Sequence, residues 1–197
     1  MSKKASKKAV KKRSPGRPAG GGMGLSRERI LGQAAKLLDD RGLKAFSMRE
    51  LARALKADPM AVYHYFGGRD ALLTELGAVH FRRFEFRIGK RAGWRTTAAA
   101  LGRAYLEHVE PRLELLLFLT HTPGAAAEPA RIMAEHFARV TAPLNLRPAD
   151  AETAMGVFFD FLHGYALGLR GGAGMGAAFK RELEMVLNGI EASAPTR

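Results

Sequence analysis

The most constraining feature of the sequence is a pair of helix-start signals between residues 47 and 58. Ser47, with Glu50 three positions later, has the pattern of a capping box, in which each side chain is expected to bind the other residue's free amide. Asp58 is a second cap, and Pro59 after it suits the first position of a helix. The spacing predicts two short helices joined by a tight turn, which is a helix-turn-helix.

Helical patterns flank this pair on both sides. Ser26 is expected to cap a first helix that ends near Gly42, and a fourth helix is expected over residues 69–88. Further helices are expected at about 94–110, 113–120, 131–141, 149–169 and 177–190, and no strand-like alternation appears. The predicted fold class is therefore all-α.

The positive charge is concentrated at the N-terminal end of the chain. Of a net charge of +13, residues 1–25 carry +8 and residues 101–197 carry −2. The first 25 residues contain little apolar surface to bury and are expected to be a disordered tail. Two interpretations of this tail remain open: a non-specific arm on DNA phosphates, or a partial AT-hook in which Arg17 of Gly16-Arg17-Pro18 enters a minor groove. Both make double-stranded DNA the expected partner.

Composition and motifs argue against a metalloprotein, an enzyme and a membrane or secreted protein. The absence of Cys excludes thiolate metal sites, and the six His residues do not have the H-E-x-x-H spacing of a zinc site, so neither a metal nor a cofactor is predicted. Residues 172–177 fit a G-x-G-x-x-A dinucleotide pattern, but they follow a helix and not a strand, which makes an enzyme the weaker alternative. No segment has the length and apolarity of a membrane span or a secretory signal, so a cytoplasmic, nucleoid-associated location is expected.

The segment over residues 25–76 resembles the N-terminal domain of the TetR (tetracycline repressor) family. The resemblance rests on Ser47-x-x-x-Leu51-Ala52, Val62-Tyr63, Tyr65-Phe66, Arg69 and Leu72. The family usually has Gly at the turn between the two helices, where this sequence has Lys56. A left-handed conformation at that position would cost Lys on the order of 1 kcal/mol relative to Gly.

The resemblance implies a set of DNA contacts. Ser47, Met48 and Arg49 of the second helix match positions that reach DNA, and Pro59, Met60 and Tyr63 of the recognition helix match positions that face the major groove. His64, Tyr65 and Arg69 match positions that face phosphates. Val62 and Phe66 are expected to be core residues, and packing of Tyr63 and Tyr65 in that small core is the alternative to DNA contact.

The resemblance also implies that the rear domain combines a ligand cavity with a dimer interface. Trp94 before a helix and the stretch 146–150 fit the tetracycline-repressor type of C-terminal domain, but the ligands of a drug–magnesium complex are not matched. Candidate cavity residues, any of which could be plain core, are Trp94, Tyr105, His108, Phe118, His121, Phe158 and Phe159. Candidate interface residues on the last two helices are Phe161, Gly164, Tyr165, Leu183 and Val186; a monomer with a buried core helix is the alternative.

These observations predict a basic tail (1–25), a helix-turn-helix domain (26–70) and a helical ligand-binding and dimerisation domain (71–197). The predicted function is that of a homodimeric transcriptional regulator, a repressor released from its DNA operator by a largely apolar small molecule. An architectural, nucleoid-type DNA-binding protein is the alternative, because the tail by itself could coat DNA.

Overall fold

Helices account for nearly all of the chain that the structure describes. In a computed structural model of the protein, the described residues are 24–87, 89, 92–169 and 176–195. Within them the α-helices are α1 (Arg27–Ala45), α2 (Met48–Leu55), α3 (Pro59–Phe66), α4 (Arg69–Arg82), α5 (Trp94–Val109), α6 (Leu113–His121), α7 (Ala127–Thr141), α8 (Pro148–Leu169) and α9 (Ala177–Ala192). Two 3₁₀ turns, Glu110–Arg112 and Ala142–Leu144, precede α6 and α8. The described part of the chain contains no strand, so the all-α prediction is confirmed.

The three N-terminal helices begin where the caps predict. The hydroxyl of Ser26 accepts the amide of Arg29 at the start of α1, and that of Ser47 accepts the amide of Glu50 at the start of α2. Asp58 Oδ1 accepts the amide of Met60 at 2.7 Å and so starts α3. The predicted reciprocal half of the capping box is wrong, because the Glu50 carboxylate accepts hydrogen bonds from the Arg41 guanidinium, at 3.1 and 3.2 Å.

The turn between α2 and α3 places a lysine in a conformation that favours glycine. Lys56 has φ 52° and ψ 43°, in the left-handed region, and it is one of two non-glycine residues with positive φ among those described. The turn is closed by the amide of Ala57, which donates to the carbonyl of Ala52 at 3.0 Å. Because the left-handed step lets the chain reverse within three residues, α3 packs against α2 while its other side faces solvent.

Three helix limits differ from the sequence prediction. Helix α4 ends at Arg82 and not near residue 88, because the amide of Phe84 bonds back to the carbonyl of Phe81 and its ring then enters the core. Helix α1 bends at Gly42 (φ 72°) but resumes and runs to Ala45. Helix α7 begins at Ala127, four residues before the predicted start.

The rear helices pack around α5, with α4 and α6 connecting them to the N-terminal helices. The core of this part contains the large, fully buried side chains of Leu101, Tyr105, Leu119, Phe158 and Leu162. Helices α4 and α6 approach each other closely at Gly77, where an added Cβ would lie 2.6 Å from a methyl group of Leu119. Helix α4 itself runs through the boundary expected at residues 70 and 71, so the helix-turn-helix and the rear helices share one rigid connector.

Candidate DNA-binding surface and internal cavity

Helix α3 separates a buried face from an exposed, largely apolar face. Val62 and Phe66 are 0% and 5% exposed, which confirms the prediction that they belong to the core. On the other face, Met60 is 72% exposed and Tyr63 is 40% exposed, while Pro59 and His64 are also exposed. Large apolar side chains that remain in water on a polar surface indicate a binding surface.

Helix α2 carries two exposed arginines, Arg49 and Arg53. Arg49 is exposed, as a side chain that contacts DNA must be. The predicted DNA contact of Met48 is wrong: its side chain is 4% exposed, because it follows the Ser47 cap directly and packs into the same core as Leu51 and Leu55. Ser47 is partly buried, and its hydroxyl accepts the Glu50 amide.

Two residues predicted to face phosphates have polar groups that bind within the domain. The hydroxyl of Tyr65 donates its single proton to the carbonyl of Leu25 at 2.6 Å, so in this conformation it has no proton for a phosphate. The guanidinium of Arg69 donates to the carbonyl of Leu43 at 3.1 Å and to that of Phe46 at 3.4 Å. Arg69 therefore fastens the connection between α1 and α2, and any phosphate contact would use its remaining N–H groups.

The predicted minor-groove contact of Arg17 lies outside the described residues, as does nearly all of the 1–25 tail. Most of the glycine-rich stretch at 172–177 also lies outside them.

A network of polar contacts joins α1 to the rear domain. The guanidinium of Arg112 donates two hydrogen bonds of 2.7 Å to the carboxylate of Asp39, and the carboxylate of Glu114 accepts the amide of Leu43 at 2.5 Å. Arg112 also donates to Nδ1 of His80 at 3.1 Å, and Nε2 of His80 faces the carbonyl of His108 at 3.1 Å. These bonds require a neutral His80 that donates from Nε2.

The same surroundings keep His80 neutral. Burial, together with the nearby His108 and Arg112 side chains, lowers its pKa to about 4. His80 and His108 are stacked with their ring centroids 4.0 Å apart. A cleft of about 380 Å³ lies at this junction, but its polar groups, including those of Asp39 and Arg112, already bind each other.

A smaller and more apolar cavity of about 140 Å³ lies between α4, α5, α6, α7 and α8. Its apolar walls include Phe81 of α4, Leu116 and Leu119 of α6, and Met133 of α7. One polar pair faces it: the hydroxyl of Tyr105 and Nε2 of His163 are 2.6 Å apart. A concave apolar cavity with a few convergent polar groups is the usual form of a small-molecule site.

The structure brings two of the seven predicted ligand residues to this cavity, Tyr105 and Phe159. The others lie elsewhere: Trp94 donates to Glu191 on the protein surface, and Phe158 is fully buried between helices. His108 stacks on His80, and His121 is exposed with its Nδ1 beside the carbonyl of Leu117. Phe118, partly buried on α6, is not among the cavity residues. For these five the prediction of cavity lining is wrong.

Sequence reasoning missed His163 and Asp160 as cavity residues, together with Phe81, Met133 and Met155. The spacing of Asp160 and His163 put both on one face of α8 and was the available signal. The sequence gave no reason to place that face opposite Tyr105, which is 58 positions away in the chain.

The outer side of α8 and α9 forms an open apolar groove. Phe161, Tyr165 and Val186 are partly buried in it, Met185 is 73% exposed, and an added Cβ at Gly164 would meet no atom within 4 Å. The predicted interface residue Leu183 is 3% exposed inside the protomer. Its assignment to the interface is wrong, because the helical period puts it on the inner face of α9 with Phe179 and Leu187.

The described residues also bear on metal binding and membrane insertion. No cluster of three His, Asp or Glu side chains there could hold a metal ion. No helix of that part of the chain combines the length and apolarity required to cross a membrane.

Comparison with solved structures finds the same fold in bacterial regulators. The chain is similar to the TetR family protein ActR of Streptomyces coelicolor in complex with (S)-DNPA, at 20% identity, with 88% of this chain and 100% of that chain covered and a TM-score of 0.71. It is similar to a TetR variant of Acinetobacter baumannii AYE in complex with minocycline, at 22% identity, 88% and 100% coverage and a TM-score of 0.73.

A third similar structure contains DNA. BioQ with its double-stranded DNA operator is 24% identical, with 86% of this chain and 99% of that chain covered and a TM-score of 0.65; BioQ of Mycobacterium smegmatis gives the same TM-score at 23% identity. At these identities the likeness establishes the fold. A search among curated proteins gives no match.

Helices α2 and α3, with the exposed face of α3, form a helix-turn-helix. Residues 30–76 match the family of bacterial regulatory proteins called the tetR family. The N-terminal helices of the chain thus match the tetR family of bacterial regulatory proteins, and the helices behind them share the fold of the similar TetR structure.

Proposed function

We propose that the protein is a homodimeric repressor of transcription that leaves its DNA operator when a small molecule occupies the rear cavity. The observation that carries this proposal is the position of α6. Leu116 and Leu119 of this helix line the cavity, while Glu114 at its N-terminal end binds the amide of Leu43 in α1. A ligand that displaces α6 therefore moves a contact of the DNA-binding domain.

The displacement has a direct route to the end of α1 and the start of α4, which precede and follow the pair α2 and α3. The Leu43 amide binds Glu114, while the carbonyls of Leu43 and Phe46 bind Arg69 at the start of α4. The last turn of α1 and the residue that follows this helix are thus held from both sides, by α6 and by α4. By linkage, a ligand that prefers a shifted α6 weakens operator binding by the same factor by which the operator weakens ligand binding.

For the DNA contacts we propose base readout by Arg49, Pro59, Met60 and Tyr63, with His64 beside a phosphate. Arg49 can donate two hydrogen bonds to O6 and N7 of a guanine, and Pro59 and Met60 offer apolar contacts to thymine methyl groups. Helix α3 carries no Lys or Arg of its own. Readout by α3 therefore depends on shape and methyl contacts more than on charge.

For the dimer we propose the outer groove of α8 and α9, with Phe161, Gly164, Tyr165 and Val186 in the interface. Two protomers related by a two-fold axis would present two α3 helices to successive turns of the major groove, about 34–36 Å apart. Matched substitutions test both surfaces, because Met185 on α9 and Met60 on α3 are 73% and 72% exposed. Met185→Glu is expected to yield monomers in light scattering, and Met60→Glu is expected to leave the dimer intact but to abolish operator binding.

The test of the regulatory proposal begins with selection of an operator from random DNA, followed by titration with candidate effectors in a fluorescence anisotropy assay. Glu114→Gln is expected to retain operator binding and to reduce the effect of the effector, because the charged acceptor of the Leu43 amide is lost. Glu107→Gln, an exposed change on α5, is the control and should behave as the parent protein. An effector response that is equal in all three proteins would contradict coupling through α6.

The architectural alternative is favoured by one observation, the charge of +8 in residues 1–25. Removal of these residues separates the two functions. A truncated protein that still selects one operator supports the regulator, and one that binds no preferred sequence supports an architectural role. We infer a binding role for the cavity and not a catalytic one, since the family match is to regulatory proteins, and association with the chromosome follows from operator binding.

A further inference from the structure

The size of the rear cavity restricts what it can hold. Its volume is about 140 Å³. An apolar protein cavity of about 150 Å³ takes up one benzene molecule. A single aromatic ring with one small substituent therefore fills the cavity in this conformation, whereas fused ring systems exceed it.

The walls of the cavity suit an aromatic ring. The aromatic rings of Phe81 and Phe159 lie near that of Tyr105, with centroids 6.2 and 5.0 Å from it, and all three side chains line the cavity. Aromatic pairs favour edge-to-face or offset arrangements, which a bound ring can adopt against these walls. Met133 and Met155 add polarisable sulfur atoms, which make favourable contacts with aromatic edges and adapt their shape to a ligand.

The polar anchor on these walls is the pair formed by Tyr105 and His163, 2.6 Å apart. Thr120 also lines the cavity, but its hydroxyl donates to the carbonyl of Leu117. A tyrosine hydroxyl has one proton and two acceptor lone pairs, so the bond with His163 leaves that of Tyr105 able to form another. Either Tyr105 or His163 can be the donor in this bond. In both cases a ligand hydroxyl can form a hydrogen bond with the Tyr105 hydroxyl, because a hydroxyl both donates and accepts.

The charge state of the pair selects against an anion. Burial lowers the pKa of His163, partly offset by the nearby Asp160, and burial raises the pKa of Tyr105, so both groups are neutral at pH 7. An anionic ligand group beside them would be buried without a countercharge. The carboxylate of Asp160 at the edge of the cavity further disfavours an anion.

We propose that this cavity binds a neutral, single-ring aromatic molecule with one hydroxyl group, whose ring lies among Phe81, Phe159 and Met133 and whose hydroxyl binds Tyr105. The inference rests on the proposed function in taking this cavity as the effector site, and it adds the chemical class of the effector.

The probe is phenol, compared with toluene and benzoate by isothermal titration calorimetry on the full-length protein without DNA. Phenol is expected to bind about tenfold more tightly than toluene, as one hydrogen bond between neutral groups contributes about 1 kcal/mol or slightly more. Benzoate, which is ionised at pH 7, is expected to bind more weakly than toluene.

Two variants locate the site. Tyr105→Phe is expected to remove the advantage of phenol over toluene and to leave toluene binding unchanged, which also shows that the variant is folded. Gly156→Leu is expected to abolish binding of both probes, because Gly156 lines the cavity and an added Cβ meets no atom within 4 Å. Gly32→Leu on α1, equally unobstructed and far from the cavity, is the matched control and should bind both probes normally.

The proposal is overturned if phenol does not bind in the millimolar range, if benzoate binds as tightly as phenol, or if Tyr105→Phe leaves the preference for phenol intact. Failure of the regulatory proposal looks different. Phenol that binds as described but leaves operator affinity unchanged would refute regulation through the cavity and support the assigned ligand class. Release of the operator by another class of compound, with no binding of phenol, would refute the ligand class alone.

Discussion

Replacement of Lys56 by glycine is expected to stabilise the protein, because the turn between α2 and α3 holds this residue at φ 52° and ψ 43°. For a residue with a Cβ atom, the left-handed region costs roughly 1–2 kcal/mol. Glycine avoids that cost but has more freedom in the unfolded chain, which offsets about 0.5–1 kcal/mol. The net gain in the free energy of unfolding is therefore about 0.5–1 kcal/mol, or about 1–4 °C in Tm for a chain of this length.

The assay is thermal unfolding followed by circular dichroism at fixed protein concentration, since dimerisation makes Tm depend on concentration. Lys56→Ala removes the same charge but keeps Cβ, and it is expected to show no comparable gain. Asn145→Gly is a second control, because Asn145 also has positive φ (49°) and asparagine tolerates this region, so its gain should be smaller. A glycine variant no more stable than Lys56→Ala would refute the argument from backbone strain.

Three further predictions concern other parts of the molecule. Arg49→Ala is expected to weaken specific DNA binding by about 1–3 kcal/mol and to relax the preference at one base position, measured by repeated operator selection. The unfolded chain protonates His80 near pH 6.5 but the folded protein does so near pH 4, so stability should fall as the pH drops through this window; urea unfolding should show a weaker pH dependence in His80→Gln. Gly77→Ala is expected to destabilise the protein by about 1–3 kcal/mol and to weaken ligand binding, since its Cβ would push Leu119 towards the cavity. Gly32→Ala, with no atom near its Cβ, should be neutral or stabilising in the same unfolding assay.

The helix-turn-helix could be predicted from the sequence in detail, because its determinants are local. The caps Ser47 and Asp58 act on amides two or three residues away. The family resemblance of this segment placed Met60 on the groove-facing side, and Val62 was expected in the core, as the structure has them. The prediction from the same resemblance failed for Met48, because the position next to a cap can face either way and the packing of α2 against its neighbours turned it inward.

The cavity could be predicted only in part, because aromatic residues in helical runs are common in cores. Tyr105 and Phe159 were among the candidates, but Phe158, their equal in type and next to one of them in sequence, lies wholly within the core. The helical period separates two adjacent residues by about 100°, and only the crossing of α5, α7 and α8 decides which of them faces the space between helices.

The sequence by itself determined the class of the protein: helical throughout its described part, with a capped pair of helices for DNA and a basic N-terminal end. These properties depend on interactions within about four residues along the chain and on composition. The tertiary structure decided which contacts join α1 to the rear helices and which side chains line the cavity. The contacts of Glu114 with Leu43 and of Tyr105 with His163 join residues 71 and 58 positions apart. Such contacts leave no local pattern, since they exist only after the helices have packed.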